Sequence, residues 1–127
     1  MPNPDLRRVL FARTVLIEQY GGAEGIRNLE TLKAAIERLW GSSHGREHFP
    51  GPFQKAAALC ESLIQRHPFV AGNNGTGVTM GSYLLSTFGY EVAATQRELE
   101  DFGVDVAQGA LDLDRMARWF DEHSEPL

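Results

Sequence analysis

The stretch HPFVAGNNGTG, residues 67–77, combines residue types that can handle phosphate. Histidine titrates near neutral pH, so His67 is a candidate general base. A run of residues that tolerate positive φ can turn backbone N–H groups inward and make an anion-binding nest. The run here is Gly72, Asn73, Asn74 and Gly75. A helix that starts at Thr76 would add partial positive charge, so the pattern indicates a phosphate-binding loop.

The same residues have a simpler interpretation. Segments rich in Gly and Asn are common turns between helices, and His67 would then be the C-terminal cap of the preceding helix. Spacing alone favours this interpretation. The elements on either side of the segment must therefore be identified.

Hydrophobic residues recur with helical period along most of the chain. The segments predicted to be helical are 6–20, 28–40, 53–66, 76–88, 95–108 and 112–123. Asn28 is a predicted N-cap, and Thr95 and Glu98 have the spacing of a capping box. The helix over 76–88 is apolar nearly all round, so we expect it at the centre of the fold.

These elements predict an all-α class: one domain over residues 1–127, built as a bundle of about six helices. Pro50, Gly51 and Pro52 exclude a continuous helix in the loop 41–52, which can hold a short β-hairpin. We expect this loop to be the least ordered internal segment, because it has few apolar residues.

Composition narrows the functional class. The chain has 127 residues, 43% of them hydrophobic, and a formal net charge of −5. This charge argues against direct nucleic-acid binding, which needs a basic surface. No run is long and apolar enough for a signal peptide or a membrane span, so we expect a cytoplasmic protein. Cys60, the single cysteine, is predicted to be a buried thiol.

Other candidate residues carry weaker signals. His44 and His48 stand four apart, but they lie in a loop flanked by Gly and Pro, and no third ligand is evident. We therefore predict no metal site. Trp40 and Trp119 are expected to be core or interface aromatics, and His123 is expected to be exposed.

The segment HPFVAGNNGTG resembles the signature of the Fic/Doc family, H-x-F-x-[acid or Asn]-[Gly/Ala]-N-[Lys/Gly]-R. Further segments are similar to the family on both sides of it: YGGAEGIRNLETLKAAIERL, KAAALCESLIQRHPF, STFGYEV and DVAQGALDLDRMARWF. The resemblance extends over residues 8–123. The small size of the chain fits the death-on-curing, or Doc-type, branch.

The resemblance implies transfer of a phosphoryl or AMP group from a nucleoside triphosphate to a protein hydroxyl. It implies that His67 takes the hydroxyl proton, that residues 72–76 hold the phosphates and that Phe69 anchors the loop. It further implies ATP or another nucleoside triphosphate with Mg²⁺, a protein substrate such as a translation elongation factor, and an antitoxin peptide. Residues 44–52, with His48 and Phe49, correspond to the flap that docks the target peptide.

The sequence departs from the signature at three positions. Ala71 replaces the acid or Asn that helps to hold Mg²⁺, Asn74 replaces Lys or Gly, and Gly75 replaces Arg. These changes remove groups that oppose negative charge during phosphoryl transfer, so we expect weakened nucleotide binding and attenuated activity. The alternatives are a catalytically inactive module that binds nucleotide or peptide, and a purely structural helical domain. The sequence leaves the oligomeric state open.

Overall fold

The computed structural model describes residues 29–66 and 73–127, and within these ranges the chain is mainly helical. Its α-helices are α1, Leu29–Glu37; α2, Pro52–Arg66; α3, Asn73–Thr87; α4, Gln96–Ala107; and α5, Leu113–Glu122. A 3₁₀ turn, Arg38–Trp40, extends α1. The strands are β1, Ser42–Ser43; β2, Arg46–Glu47; β3, Tyr90–Val92; and β4, Ser124–Pro126. The all-α class is confirmed, whereas the predicted helix over 6–20 and the N-cap Asn28 lie outside the described residues.

Helix α2 is the central element of the described fold. It packs against α1, α3, α4 and α5, and its residues from Lys55 to Cys60 are all buried. The sequence predicted this place for the helix that begins near Thr76, because that helix is apolar nearly all round. The alanines of α2, Ala56 to Ala58, explain the difference, because side chains this small let neighbouring helices approach on several faces.

Helix α3 packs closely on α2 because glycines face the contact. A Cβ at Gly77 would lie 2.7 Å from Ile64 Cγ1 and 3.1 Å from the carbonyl oxygen of Cys60. A Cβ at Gly81 would lie 3.2 Å from the carbonyl oxygen of Ala56 on α2, and 2.8 Å from Phe120 Cζ on α5. This close contact fixes the start of α3 relative to the end of α2.

Strands β1 and β2 form an antiparallel hairpin in the 41–52 loop, as the sequence allowed. The two residues of its turn, His44 and Gly45, have φ of 54° and 76°. Positive φ at both central residues is the geometry of a type I′ turn, whose twist matches that of the flanking strands.

A second small sheet was not predicted from the sequence. Strand β3 follows α3, and it pairs antiparallel with β4 after α5, with Glu91 opposite Glu125. The Ala93 N–H also donates to the carbonyl oxygen of His123 at 2.6 Å. The pairing ties the residues after α5 back to the end of α3.

Helices α4 and α5 begin with side chains that cap their N-termini. Thr95 accepts the Glu98 N–H, and Glu98 accepts the Thr95 N–H, so the predicted capping box is confirmed. Accepting that backbone N–H lowers the pKa of the Glu98 carboxyl below its usual value. At α5, Asp112 Oδ1 accepts the Arg115 N–H at 2.8 Å.

An aromatic stack joins α4 to the end of α5. The Trp119 ring lies between Phe102, at 4.0 Å, and His123, at 4.1 Å between ring centroids. His123 also contacts Glu98 Oε2 through Nε2 at 3.2 Å. The expectation that His123 is exposed is therefore wrong, because the stack and this contact hold its ring against the protein.

Candidate functional site

The segment 67–77 is only partly within the described residues. His67, Phe69, Ala71 and Gly72 lie outside them. The remaining predicted phosphate-binding residues, Asn73, Asn74, Gly75 and Thr76, form the first turn of α3. Four residues of the predicted site thus lie together at one helix N-terminus.

The predicted loop conformation of Asn73, Asn74 and Gly75 is wrong. We expected a helix that begins at Thr76 after a run of positive φ, but α3 begins at Asn73. Among the described residues, positive φ occurs elsewhere, at Gly89 and Gly109 for example. The physical reason is tertiary: Thr76, Gly77 and Val78 are buried against the core, and this burial outweighs the preference of Asn and Gly for turns.

The first turn of α3 has the electrostatics of an anion site. The N–H groups in the first turn of an α-helix have no carbonyl partner within the helix, and the helix dipole adds partial positive charge there. No acidic residue lies in this turn. The residue before it in the sequence is Gly72, which has no side chain for capping. A phosphate group fits such a helix end.

Thr76 adds a polar group without a partner. Its side chain is 0% exposed, and its Oγ1 has no hydrogen-bond partner in the part of the chain that the structure describes. Buried hydroxyl groups usually find a partner, so an orphan at the start of a helix is unusual. Because Thr76 is 0% exposed, a ligand could reach this hydroxyl only after a local movement of the chain.

A glycine of α4 brings that helix close to the turn. A Cβ at Gly103 would lie 3.7 Å from Asn74 Cβ and 3.5 Å from Val78 Cγ2. The first turn of α3 is thus supported by α2 on one side and by α4 on another. This support gives the helix end a defined position.

The hairpin that carries His48 and Phe49 is the second part of the candidate site. The His48 N–H donates to the carbonyl oxygen of Gly41 at 2.9 Å, and its Nε2 lies 2.7 Å from Ser43 Oγ. His48 is exposed, and the half-buried Phe49 packs against the core. We call residues 42–49 the flap hairpin.

Two basic residues that the sequence analysis did not single out hold this hairpin. Lys55, at the start of α2, is 3% exposed, and its Nζ donates to Glu47 Oε1 at 2.9 Å and to the carbonyl oxygen of Phe49 at 2.7 Å. The guanidinium of Arg38 lies 4.8 Å from the centroid of the Phe49 ring. The loop that we expected to be the least ordered internal segment is thus tied to the core by contacts that its composition does not show, and its relative order stays a prediction. A lysine inside the apolar pattern of α2 was the available signal.

Other candidate chemistry is absent from the described ranges, 29–66 and 73–127. They contain no cluster of three His, Cys, Asp or Glu residues placed to bind a metal ion. Cys60 is fully buried as predicted, and burial raises the pKa of its thiol far above its usual value, so it is not a nucleophile. Within the same ranges, no helix is long and apolar enough to cross a membrane.

Comparisons with known proteins identify the family of this chain. The family model described as "Fic/DOC family" matches residues 4–85, a range that contains both the flap hairpin and the segment 67–77. The protein named Toxin Doc from Mycolicibacterium smegmatis (strain ATCC 700084 / mc(2)155) is 33% identical to this chain over 100 residues. The aligned region covers 77% of this chain and 77% of that protein.

Proposed function

Because the chain belongs to the Fic/DOC family, we propose that it is a Doc-like toxin that transfers a phosphoryl or AMP group to a protein hydroxyl. The donor is ATP or another nucleoside triphosphate. The departures at Ala71, Asn74 and Gly75 reduce the rate of this transfer. The name of the relative, Toxin Doc, supports the toxin role.

The observation that carries the proposal is the N-terminus of α3. It combines a first turn without acidic side chains and the buried hydroxyl of Thr76, whose Oγ1 has no hydrogen-bond partner among the described residues. A triphosphate supplies the acceptor oxygens that such a turn needs. In the proposal, residues 72–76 bind the phosphates, and Phe69 anchors the segment before them.

His67 acts as the general base in this proposal. The target hydroxyl oxygen attacks phosphorus while its proton passes to a ring nitrogen of His67. Attack at the γ-phosphorus breaks the bond to the β-phosphate oxygen and releases a nucleoside diphosphate. Attack at the α-phosphorus releases pyrophosphate. In the sequence, His67 follows directly on Arg66, the last residue of α2.

Mg²⁺ does not fit the protein residues at this site. The position that supplies a metal ligand in the family is Ala71, a hydrocarbon side chain, and no acidic residue lies in the first turn of α3. Hard cations prefer oxygen ligands, above all carboxylates. We therefore assign no step to a metal ion held by this chain.

The second candidate function is an inactive module that binds a nucleotide or a peptide. The substitutions at 71, 74 and 75 favour it, because they remove charge from the place where charge develops in the transition state. The donors of the α3 N-terminus serve binding equally well in either case. Only a measurement of turnover therefore distinguishes an active transferase from an inactive binding module.

The partners belong to the same proposal. The protein substrate is a translation elongation factor, which places the activity in the cytoplasm. The partner that restrains it is an antitoxin whose peptide segment folds onto this chain. The flap hairpin, with His48 and Phe49, docks the substrate peptide.

Labelled transfer tests the proposal. The purified chain is incubated with a bacterial lysate, Mg²⁺ and ATP labelled at either the γ- or the α-phosphate. We expect weak labelling of a lysate protein by one of the two nucleotides, which also identifies the group transferred. Nucleotide binding without labelling of any protein, by the natural chain or by a variant with the family residues at 71, 74 and 75, would favour the binding module.

A further inference from the structure

The flap hairpin is tied to the core through a buried ammonium group. Lys55 is 3% exposed, and two of its three N–H donors are used by Glu47 and by the carbonyl oxygen of Phe49. A buried charge is tolerated only when it is paired and hydrogen-bonded. If the hairpin moved away, the ammonium would lose both partners, so Lys55 holds the hairpin in its observed position.

Arg38 holds Phe49 through the side chain of that phenylalanine. Its guanidinium lies over the Phe49 ring, with Cζ 4.8 Å from the ring centroid. The guanidinium is itself fixed to α2, because Nη1 donates to Ser62 Oγ and Nη2 lies 3.3 Å from Glu61 Oε1. Phe49 is thus held by its backbone through Lys55 and by its ring through Arg38.

We propose that Arg38 and Lys55 are positioning residues that hold the flap hairpin in the conformation that docks the target peptide. This inference rests on the proposed function of the hairpin. Lys55 lies near the start of α2, and the partners of Arg38 lie one turn before its end. Both positioning residues thus contact α2, the helix after which His67 follows in the sequence.

The alternative is that these contacts serve stability alone. A peptide docked on the hairpin must present its hydroxyl to His67, and a displacement of 1 Å at a reacting group costs roughly a hundredfold in rate. A hairpin that spends less time in its docking conformation also binds the peptide more weakly, so loss of a positioning residue raises the apparent KM for the protein target. A purely structural role changes the folded fraction and leaves that KM unaltered.

The test uses Lys55→Met, which keeps the length of the side chain and removes its donors, and Lys55→Arg, which keeps the charge and the donors. Lys33→Met is the matched control, because Lys33 is exposed on α1. This change removes only the contact between Lys33 Nζ and Glu30 Oε1, which are 3.9 Å apart. The first readout is hydrogen exchange, measured for the natural chain and for each single variant of it. We expect amides of residues 42–49 to exchange about tenfold faster in Lys55→Met, with α2 and α3 unchanged.

The second readout is transfer kinetics in the background Ala71→Asp, Asn74→Lys, Gly75→Arg. The substrate is the lysate protein that this background labels most strongly, after purification. We expect Lys55→Met to raise the apparent KM for that protein about tenfold or more, with ATP affinity unchanged. Lys55→Arg should give a KM close to that of the background, because it keeps the charge and the donors. Arg38→Met should act in the same direction.

The outcomes separate the two proposals. Unchanged exchange in Lys55→Met, or transfer with an unchanged KM, would overturn the positioning role and leave the proposed function standing. A KM that rises equally in Lys33→Met would also overturn it. Absence of transfer from the background variant would overturn the proposed function and, with it, the role of both positioning residues.

Discussion

The N-termini of α3 and α4 differ in the side chains that their first turns hold. At α4, Thr95 and Glu98 form a reciprocal capping box, so the protein supplies its own acceptors. At α3, no acidic residue lies in the first turn, and the preceding residue in the sequence is Gly72. Both helices bury one face against the core, so the difference lies in their ends.

A capping box stabilises a helix by closing its N-terminus, and an external anion then has little to gain there. A first turn without acidic side chains suits an anion better, because no carboxylate repels it. We call the N-terminus of α3 open in this sense, since no acidic residue lies in its first turn. It carries residues 73–76 of the predicted phosphate site, and the proposed function requires that this end bind phosphate.

The largest expected effect concerns His67. In the background Ala71→Asp, Asn74→Lys, Gly75→Arg, the Asp restores a ligand for Mg²⁺, and the Lys and Arg restore positive charge that opposes the negative charge of the transition state. We expect labelled transfer to rise by roughly 10²–10³ for each effective group, non-additively. His67→Ala in that background should then lower the rate by roughly 10²–10⁴, because no general base remains. Transfer that survives His67→Ala would show that the base lies elsewhere.

The next effect concerns the packing that positions α3. Gly77→Ala places a Cβ against Ile64 and the carbonyl oxygen of Cys60, and we expect a loss of about 1–3 kcal/mol in the free energy of unfolding. Gly103→Ala is the matched control, since its nearest contact would be an ordinary 3.5 Å. Removing a glycine from the interior of α4 should stabilise by about 0.5–1 kcal/mol. Urea unfolding of both variants checks the two signs.

The smallest effect opens the closed helix end. Thr95→Ala removes the cap of α4 and should cost about 0.5–2 kcal/mol in chemical denaturation. The variant keeps the backbone N–H that chiefly lowers the pKa of the Glu98 carboxyl and loses the hydrogen bond of the Thr95 side chain, so NMR titration should show only a partial rise of this pKa. An unchanged Glu98 pKa would show that the Thr95 side chain does not contribute to lowering it.

The pH dependence of this cap has a definite sign. The pKa of Glu98 is depressed in the folded protein, chiefly by the Thr95 backbone N–H. The stabilisation by its carboxylate is therefore present above the unfolded pKa and is lost as pH falls through the folded one. We expect the difference in stability between the natural chain and Thr95→Ala to shrink in that acidic range.

Local signals in the sequence were sufficient for several elements. The capping box at Thr95 and Glu98 was predicted because its spacing has a direct geometric meaning. Helix α2 was predicted over 53–66 and observed as Pro52–Arg66, because its apolar period is unbroken. The burial of Cys60 followed from the same pattern.

Long-range contacts decided the features that the sequence did not reveal. The start of α3 depends on the burial of Thr76 among residues distant in the chain, whereas turn propensity reports only neighbours. Lys55 has a polar environment because the hairpin places Glu47 and Phe49 beside it. Strands β3 and β4 are three residues each and pair across the whole of α4 and α5, so no local pattern marks them.

The central claim is that the open N-terminus of α3 binds the phosphates of a nucleotide. Asn74→Asp tests it most directly, because the change is isosteric and adds a carboxylate to that turn. Calorimetric titration with ATP should show binding to the natural chain and an affinity about tenfold weaker, or about 1.4 kcal/mol, for Asn74→Asp. Gln96→Glu, the same charge change in the first turn of α4, should leave ATP affinity unaltered. Equal affinities for the natural chain and Asn74→Asp would contradict the account.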